Sequence, residues 1–347
     1  MALFSRSIAT AATRPTRAAV ASRSTPINPN SVGPFQVFDR NAKRAQRDRA
    51  ALRDGGHRSR TVDYLRNEVA ENMIERLLDV KRRFSEIVDV GSGPGHFAKL
   101  LDQNVTDKVT MLDMSEKLLH RDPDSDFEGK LSRPDQRSVS KIFILVDVQR
   151  MHADEESLLN SLKPSSVPAI TSCLSLHWTN DLPGVLIQIR EALLPDGLFL
   201  GAMLGGDTLF ELRTSLQLAE VEREGGLGIR VSPMTDTRDV TNLLGRAGFT
   251  LLTVDIDEVR FAYPSIFELM EDLQSMGESN AVVERRPLIK RDILTAASAI
   301  YQSMHGLEEG GIPATFQVIY MIGWKPDPRQ PKPLERGTGK TNLQDVL

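Results

Sequence analysis

Between residues 84 and 203, five short apolar runs alternate with longer segments of helical spacing, and this alternation constrains the fold more than any other feature. The runs fall at 87–90, 109–112, 142–146, 169–174 and 198–203. Near-continuous apolar runs suit strands covered on both faces, and their alternation with helices builds a parallel sheet with crossover connections. Runs at 250–262 and 315–324 bring the expected strands to seven, with helices at 265–276 and 291–304. Before the sheet, Leu65, Val69, Met73, Leu77 and Leu78 recur at helical spacing and predict a lead-in helix. The expected fold is α/β and Rossmann-like: basic lead-in helices over 39–83, a domain over 84–325 and a helical cap at about 205–246 after the fifth strand. A polar insertion over 120–140 and a Pro/Gly-rich tail over 326–347 complete the reading.

Ligands of open α/β sheets bind beyond the carboxyl ends of the strands. Directly after the first run lies Gly91-Ser-Gly93-Pro-Gly95, the glycine turn of a strand–turn–helix unit, with a helix expected from 97 to 101. Such a loop lets backbone approach a ligand closely, and nicotinamide, flavin and S-adenosyl-L-methionine sites all use one. A dinucleotide fingerprint requires glycine where this chain has His96. Asp89 would repel a pyrophosphate but suits a ligand bearing ammonium and sulfonium charges. S-adenosyl-L-methionine is therefore the expected cofactor, held by Asp89, Gly91, Gly93 and Gly95. Asp113, closing the second run, would meet the ribose hydroxyls, and Asp147 with Val148 would meet the adenine edge. The domain reads as a seven-stranded methyltransferase fold.

Near the reacting centre, His177 and Trp178 follow the fourth run, where His could move a proton and Trp could stack on a guanidinium. Asp207, after Gly205-Gly206, is the expected partner for a guanidinium through a bidentate pair. Glu211 and Glu278 are weaker candidates for the same task. His152-Ala-Asp154 spells part of a two-His-one-carboxylate triad but reads as a helix-start acid beside a surface histidine, so no metal site is expected. Gly337-Thr-Gly339-Lys340-Thr341 fails as a phosphate loop, because Leu334 stands where the first glycine belongs.

Arg6, Arg14, Arg17 and Arg23 occur with no acid before Asp39, which is the composition of a mitochondrial presequence over 1–38. Residues 39–60 hold eight bases against three acids, so the net charge of -4 conceals a strongly acidic remainder. An acidic body disfavours nucleic acid and is compatible with a cationic substrate or partner, or with a merely solvated surface. The single cysteine, Cys173, excludes an intramolecular disulfide and a Cys-x-x-Cys zinc site. No run of 18 apolar residues offers a membrane span, so the expected protein is soluble or peripheral.

Several segments carry a closer resemblance: Phe38-Asp39-Arg40, Gln46-Arg47-Asp48-Arg49-Ala50-Ala51, Asp63-Tyr64-Leu65-Arg66 and Ser175-Leu176-His177-Trp178-Thr179-Asn180-Asp181-Leu182-Pro183. It continues through Gly205-Gly206-Asp207-Thr208-Leu209-Phe210-Glu211-Leu212-Arg213, Glu224-Gly225-Gly226 and Met276-Gly277-Glu278-Ser279-Asn280-Ala281. From Phe38 to Trp324 the chain resembles the mitochondrial arginine-hydroxylase family, the fifth-named assembly factor of respiratory complex I. The resemblance implies a matrix enzyme, peripheral to the inner membrane if it touches it, that hydroxylates an arginine of a complex I subunit or assembly intermediate. A more distant resemblance, through the glycine loop and the His-Trp segment, is to the methyltransferase that esterifies a malonyl-carrier protein. Hydroxylation, methylation of a protein or carrier-protein carboxyl, and a non-catalytic chaperone role with the cofactor as a structural ligand all stay open.

Overall fold

Phe84–Val90 (β1), Thr106–Asp113 (β2), Asp147–His152 (β3), Val167–Cys173 (β4), Leu193–Leu204 (β5), Thr250–Tyr263 (β6) and Ile312–Trp324 (β7) join in one sheet of order β3-β2-β1-β4-β5-β7-β6. The structure is a computed structural model and describes residues 36–127, 146–286 and 288–332. Pairings among β1 to β5 are parallel, and β7 runs antiparallel between β5 and β6. The strand order reverses between β1 and β4, which opens a crevice at their carboxyl ends.

Alternate residues of each central strand serve opposite faces. Ile87 packs with Val69, Met73 and Leu77 of the helix Tyr64–Asp79, whereas Val88 packs on the other side with Val185 and Ile189. In chain order the helices are α1 (Arg40–Leu52), α2 (His57–Thr61), α3 (Tyr64–Asp79), α4 (Glu116–Leu119), α5 (Leu182–Ala192), α6 (Phe210–Glu224), α7 (Thr237–Ala247), α8 (Ile266–Ser275) and α9 (Arg291–His305). Among the described residues no helix is long and apolar enough to cross a membrane.

Three expectations need correction. The cap expected over 205–246 divides: Val240, Leu244 and Ala247 of α7 cover the sheet beside α5, while Leu212, Leu216 and Ala219 of α6 meet Ile293, Ala297 and Tyr301 of α9. Apolar stripes at helical spacing look alike whichever layer they face, so sequence spacing could not separate the two. The helix expected over 97–101 is a single 3₁₀ turn, Ala98–Leu100. Asp102 ends it, its carbonyl accepting from Val105 and Thr106 and its carboxylate from Asn104. The third strand begins at Asp147, not Ile142, and residues 142–145 lie outside the described set. As a sheet edge, β3 is mostly polar and carries no apolar run to betray it. The expected presequence up to residue 35, most of the expected polar insertion and the expected tail beyond 332, with its rejected phosphate loop, also lie outside the described residues.

Candidate functional site

The loop after β1 is pinned to the end of β2, with the Gly91 and Ser92 amides donating to the Leu112 carbonyl. Its backbone turns through positive φ, and neighbours crowd the places side chains would need. A Cβ on Gly91 would stand 2.1 Å from Ser175 Oγ, and one on Gly95 2.6 Å from the Phe127 ring. Asp113 closes β2, fully buried, and accepts from the Gly93 amide (2.9 Å) and the Ser115 amide (2.7 Å). Burial raises its carboxyl above the usual range, against the pull of Arg47. Asp89 is equally buried: Thr171 donates to Oδ1 at 3.0 Å, while Oδ2 has no hydrogen-bond partner. Burial pushes Asp89 up to about 7. A lone-pair oxygen left unpaired at 0% exposure is costly unless a donor arrives, and a ligand ammonium is such a donor.

Helix α1 roofs this crevice with an unusual face. Arg40, Lys43 and Arg47 recur at helical spacing and all point inward. Arg40 pairs with Asp154 at 2.7 Å and with the buried Glu155. Arg47 reaches the cleft itself, 3.6 Å from both Asp113 Oδ2 and Glu155 Oε1, with Ser175 Oγ at 3.4 Å. Asp48 accepts from the Ser115 hydroxyl at 2.7 Å. The donor set fits S-adenosyl-L-methionine by type, with Asp89 for the ammonium and Asp113 for the ribose. The Arg47 side chain now fills that space, leaving a void of about 10 Å³ between the glycine loop, Asp113 and Leu118.

Next to the crevice, a cavity of about 510 Å³ opens between α1, α6, α8 and the carboxyl end of β5. Leu65, Leu204, Leu212, Leu216 and Met270 give it an apolar wall, and Glu278 is the one acidic residue among its described lining. The Glu278 side chain is only 11% exposed. It accepts from Arg66 at 2.7 Å and from Trp178 Nε1 at 2.6 Å, with Lys43 Nζ at 3.7 Å and His177 Nε2 at 3.9 Å. Burial alone would raise its carboxyl, but the charges of Lys43, Arg66 and Arg47 hold it well below the usual range. Lys43 is wholly buried, donates to the carbonyls of Gly277 and Ser279, and lies 3.3 Å from the centre of the Trp178 ring. Burial lowers it to about 7. Burial also lowers His177, and both its ring nitrogens lack hydrogen-bond partners, so it sits here as a neutral imidazole. These five groups come from four separate stretches of chain.

The fold thus brings together Asp89, Gly91, Gly93, Gly95, Asp113, His177 and Trp178, and it leaves three expected residues outside. Asp207 is exposed in the turn after β5, where Gln317 donates to it at 3.1 Å, and it does not line the cavity. Asp147 and Val148 start β3 beside Lys108 and Val109, at the far end of the strand from the crevice, because that strand begins five residues later than its apolar run suggested. Their places near the crevice are taken by His152 and Glu155: His152 pairs with Asp113 and contacts the Met114 carbonyl at 3.0 Å. Asp154 caps the turn that follows, as expected, and no group of three or more potential metal ligands occurs among the described residues. Glu211 is buried against Thr315 and serves packing. Sequence reasoning missed Arg47, Lys43 and Glu155 and undervalued Glu278. The available signal was the basic i, i+3, i+7 row of α1, which looks like an ordinary solvated face. The acidic body does not extend to the cavity, whose lining includes six arginines.

A family model described as a methyltransferase domain matches residues 62–254. Arginine-hydroxylase NDUFAF5, mitochondrial, of Danio rerio is 46% identical over 313 residues, covering 90% of this chain and 90% of its own length. The Homo sapiens protein of the same name is 42% identical over 330 residues, covering 95% and 89%. A malonyl-acyl-carrier-protein O-methyltransferase of Methylovorus sp. (strain MP688) is 32% identical over 267 residues, covering 76% and 83%.

Proposed function

The chain belongs to the mitochondrial arginine-hydroxylase NDUFAF5 family within the methyltransferase-domain proteins, and from that premise we propose that it hydroxylates an arginine of a complex I subunit or assembly intermediate in the mitochondrial matrix. The observation that carries the reading is Glu278, the one carboxylate among the described residues lining a cavity that Trp178 also lines. Each carboxylate oxygen has two lone pairs. Arg66 and Trp178 take one on each oxygen, so a substrate guanidinium can share the remainder. Trp178 gives that guanidinium a ring face, and the apolar wall excludes water from the alkyl stem. His177 is the neutral base within reach of the same carboxylate.

The glycine loop with Asp89 and Asp113 would hold S-adenosyl-L-methionine, which supplies an electrophilic methyl group when bound. No side chain delivers an oxygen atom, so hydroxylation requires dioxygen, one atom of which enters the arginine while the other leaves as water, with two electrons and two protons from a reducing co-substrate. The basic, acid-free leader supports import to the matrix, with cleavage between Arg17 and Phe38. A second reading is methyl transfer to a protein or carrier-protein carboxyl, favoured by the 32% identical O-methyltransferase. High-resolution mass spectrometry of complex I subunits, from cells carrying or lacking this protein, separates the two: an arginine gains an oxygen under the first, and a group gains a methylene unit under the second. An unchanged subunit spectrum with failed assembly would leave a chaperone role instead.

A further inference from the structure

We propose that the cavity recognises its substrate arginine within an acidic peptide segment, read at the rim by Arg49 and Arg53. The inference rests on the reading that the cavity takes a protein arginine. Among the described residues, six arginines line this cavity against one carboxylate. Four of them are already committed: Arg58 lies 3.4 Å from Glu271, Arg230 2.6 Å from Glu220 and Arg285 3.4 Å from Asp39, and Arg286 pairs with Glu224. Arg49 and Arg53 are exposed and have no ion pair among the described residues.

They stand four residues apart at the carboxyl end of α1, on the side that borders the cavity. Among the described residues no carboxylate pairs with either, and two carboxylates arriving on a bound chain would do so. The geometry also divides the work by depth. Trp178 is buried and the Glu278 side chain is 11% exposed, so they meet a long cationic side chain that reaches inward, whereas Arg49 and Arg53 are exposed and meet the residues flanking it. Electrostatic complementarity of this kind sets partner choice and encounter rate more than raw affinity.

Four synthetic peptides test the idea with the purified chain: an arginine or an alanine at the centre, flanked by aspartate and glutamate or by serine. Binding is read by fluorescence anisotropy at two salt concentrations. Acidic flanks should tighten binding of the arginine peptide about tenfold at low salt, and the gain should shrink as salt screens it. In the double variant Arg49→Ser with Arg53→Ser, the ratio of acidic-flank to serine-flank affinity should fall to about one. Both residues are exposed, so the variant should melt with the wild type. A ratio near one in the wild type, or a gain that survives the double substitution, overturns the proposal. The central alanine tests the premise separately: acidic alanine peptides that bind as well as acidic arginine peptides would support the rim and remove the arginine.

Discussion

At the residue scale, the buried carboxylate Glu278 joins stability to chemistry. Glu278→Gln keeps the volume but leaves Lys43 and Arg66 without their counter-charge, and stripping one member from a buried ionic cluster costs about 3 kcal/mol. The expected result is a lower melting temperature together with loss of target modification, whereas Asp207→Asn, on the exposed turn, should leave both intact. Lys43 gives a pH signature. Its folded value near 7 lies below its ordinary value of 10.5, so between those limits the unfolded chain binds more protons and stability rises with pH. Below pH 7 both states are charged and the full burial penalty remains. Wild type should therefore gain stability relative to Lys43→Met between pH 7 and 10 in denaturant titrations, and parallel curves would contradict this origin. The buried partners of Glu278 were not legible in the sequence. Sequence type and position made Glu278 only a weaker guanidinium partner than Asp207, and its role comes from partners 100 and 212 positions away.

At the element scale, α1 is the structural oddity. Its inward face is built of Arg40, Lys43 and Arg47 in place of an apolar stripe, and ion pairs desolvated in an interior contribute little net stability. A helix held this way opens at little cost. Because Arg47 occupies the space beside Asp113 that the cofactor requires, cofactor binding should displace α1 or at least swing Arg47 out. Hydrogen exchange over 40–52 should accelerate when S-adenosyl-L-methionine is added, and Arg47→Met should tighten its calorimetric affinity about tenfold. Weakened binding in that variant would make Arg47 a ligand for the cofactor and not its competitor. Helix α3 shows the contrast, because Leu65, Val69 and Met73 form an apolar row and its place against the sheet follows from spacing alone.

At the scale of the whole molecule, the sheet and its crevice depend on close approach between β1, β2 and the segment after α4. Gly95→Ala would drive a methyl group into Phe127 and Met111 at a positive φ, and should cost about 2 kcal/mol in chemical denaturation before any ligand is considered. The sequence by itself determined the seven-stranded α/β sheet, the glycine loop after β1, the acids Asp89 and Asp113 and the placement of His177-Trp178 after β4. These follow from local rules: apolar periodicity marks strands and helices, and a parallel sheet gathers its strand ends on one edge. Only the tertiary structure decided that α7 belongs to the sheet layer, that Asp207 faces outward, that Asp147 starts its strand, and that α1 reaches into the crevice to meet Asp113 and Glu155. The first three depend on which layer an apolar stripe meets and on where a strand or turn begins, and the last on which buried charge meets which partner across a long separation in the chain; the energy of such a pair is set by burial and distance, neither of which a residue's own neighbours in sequence report.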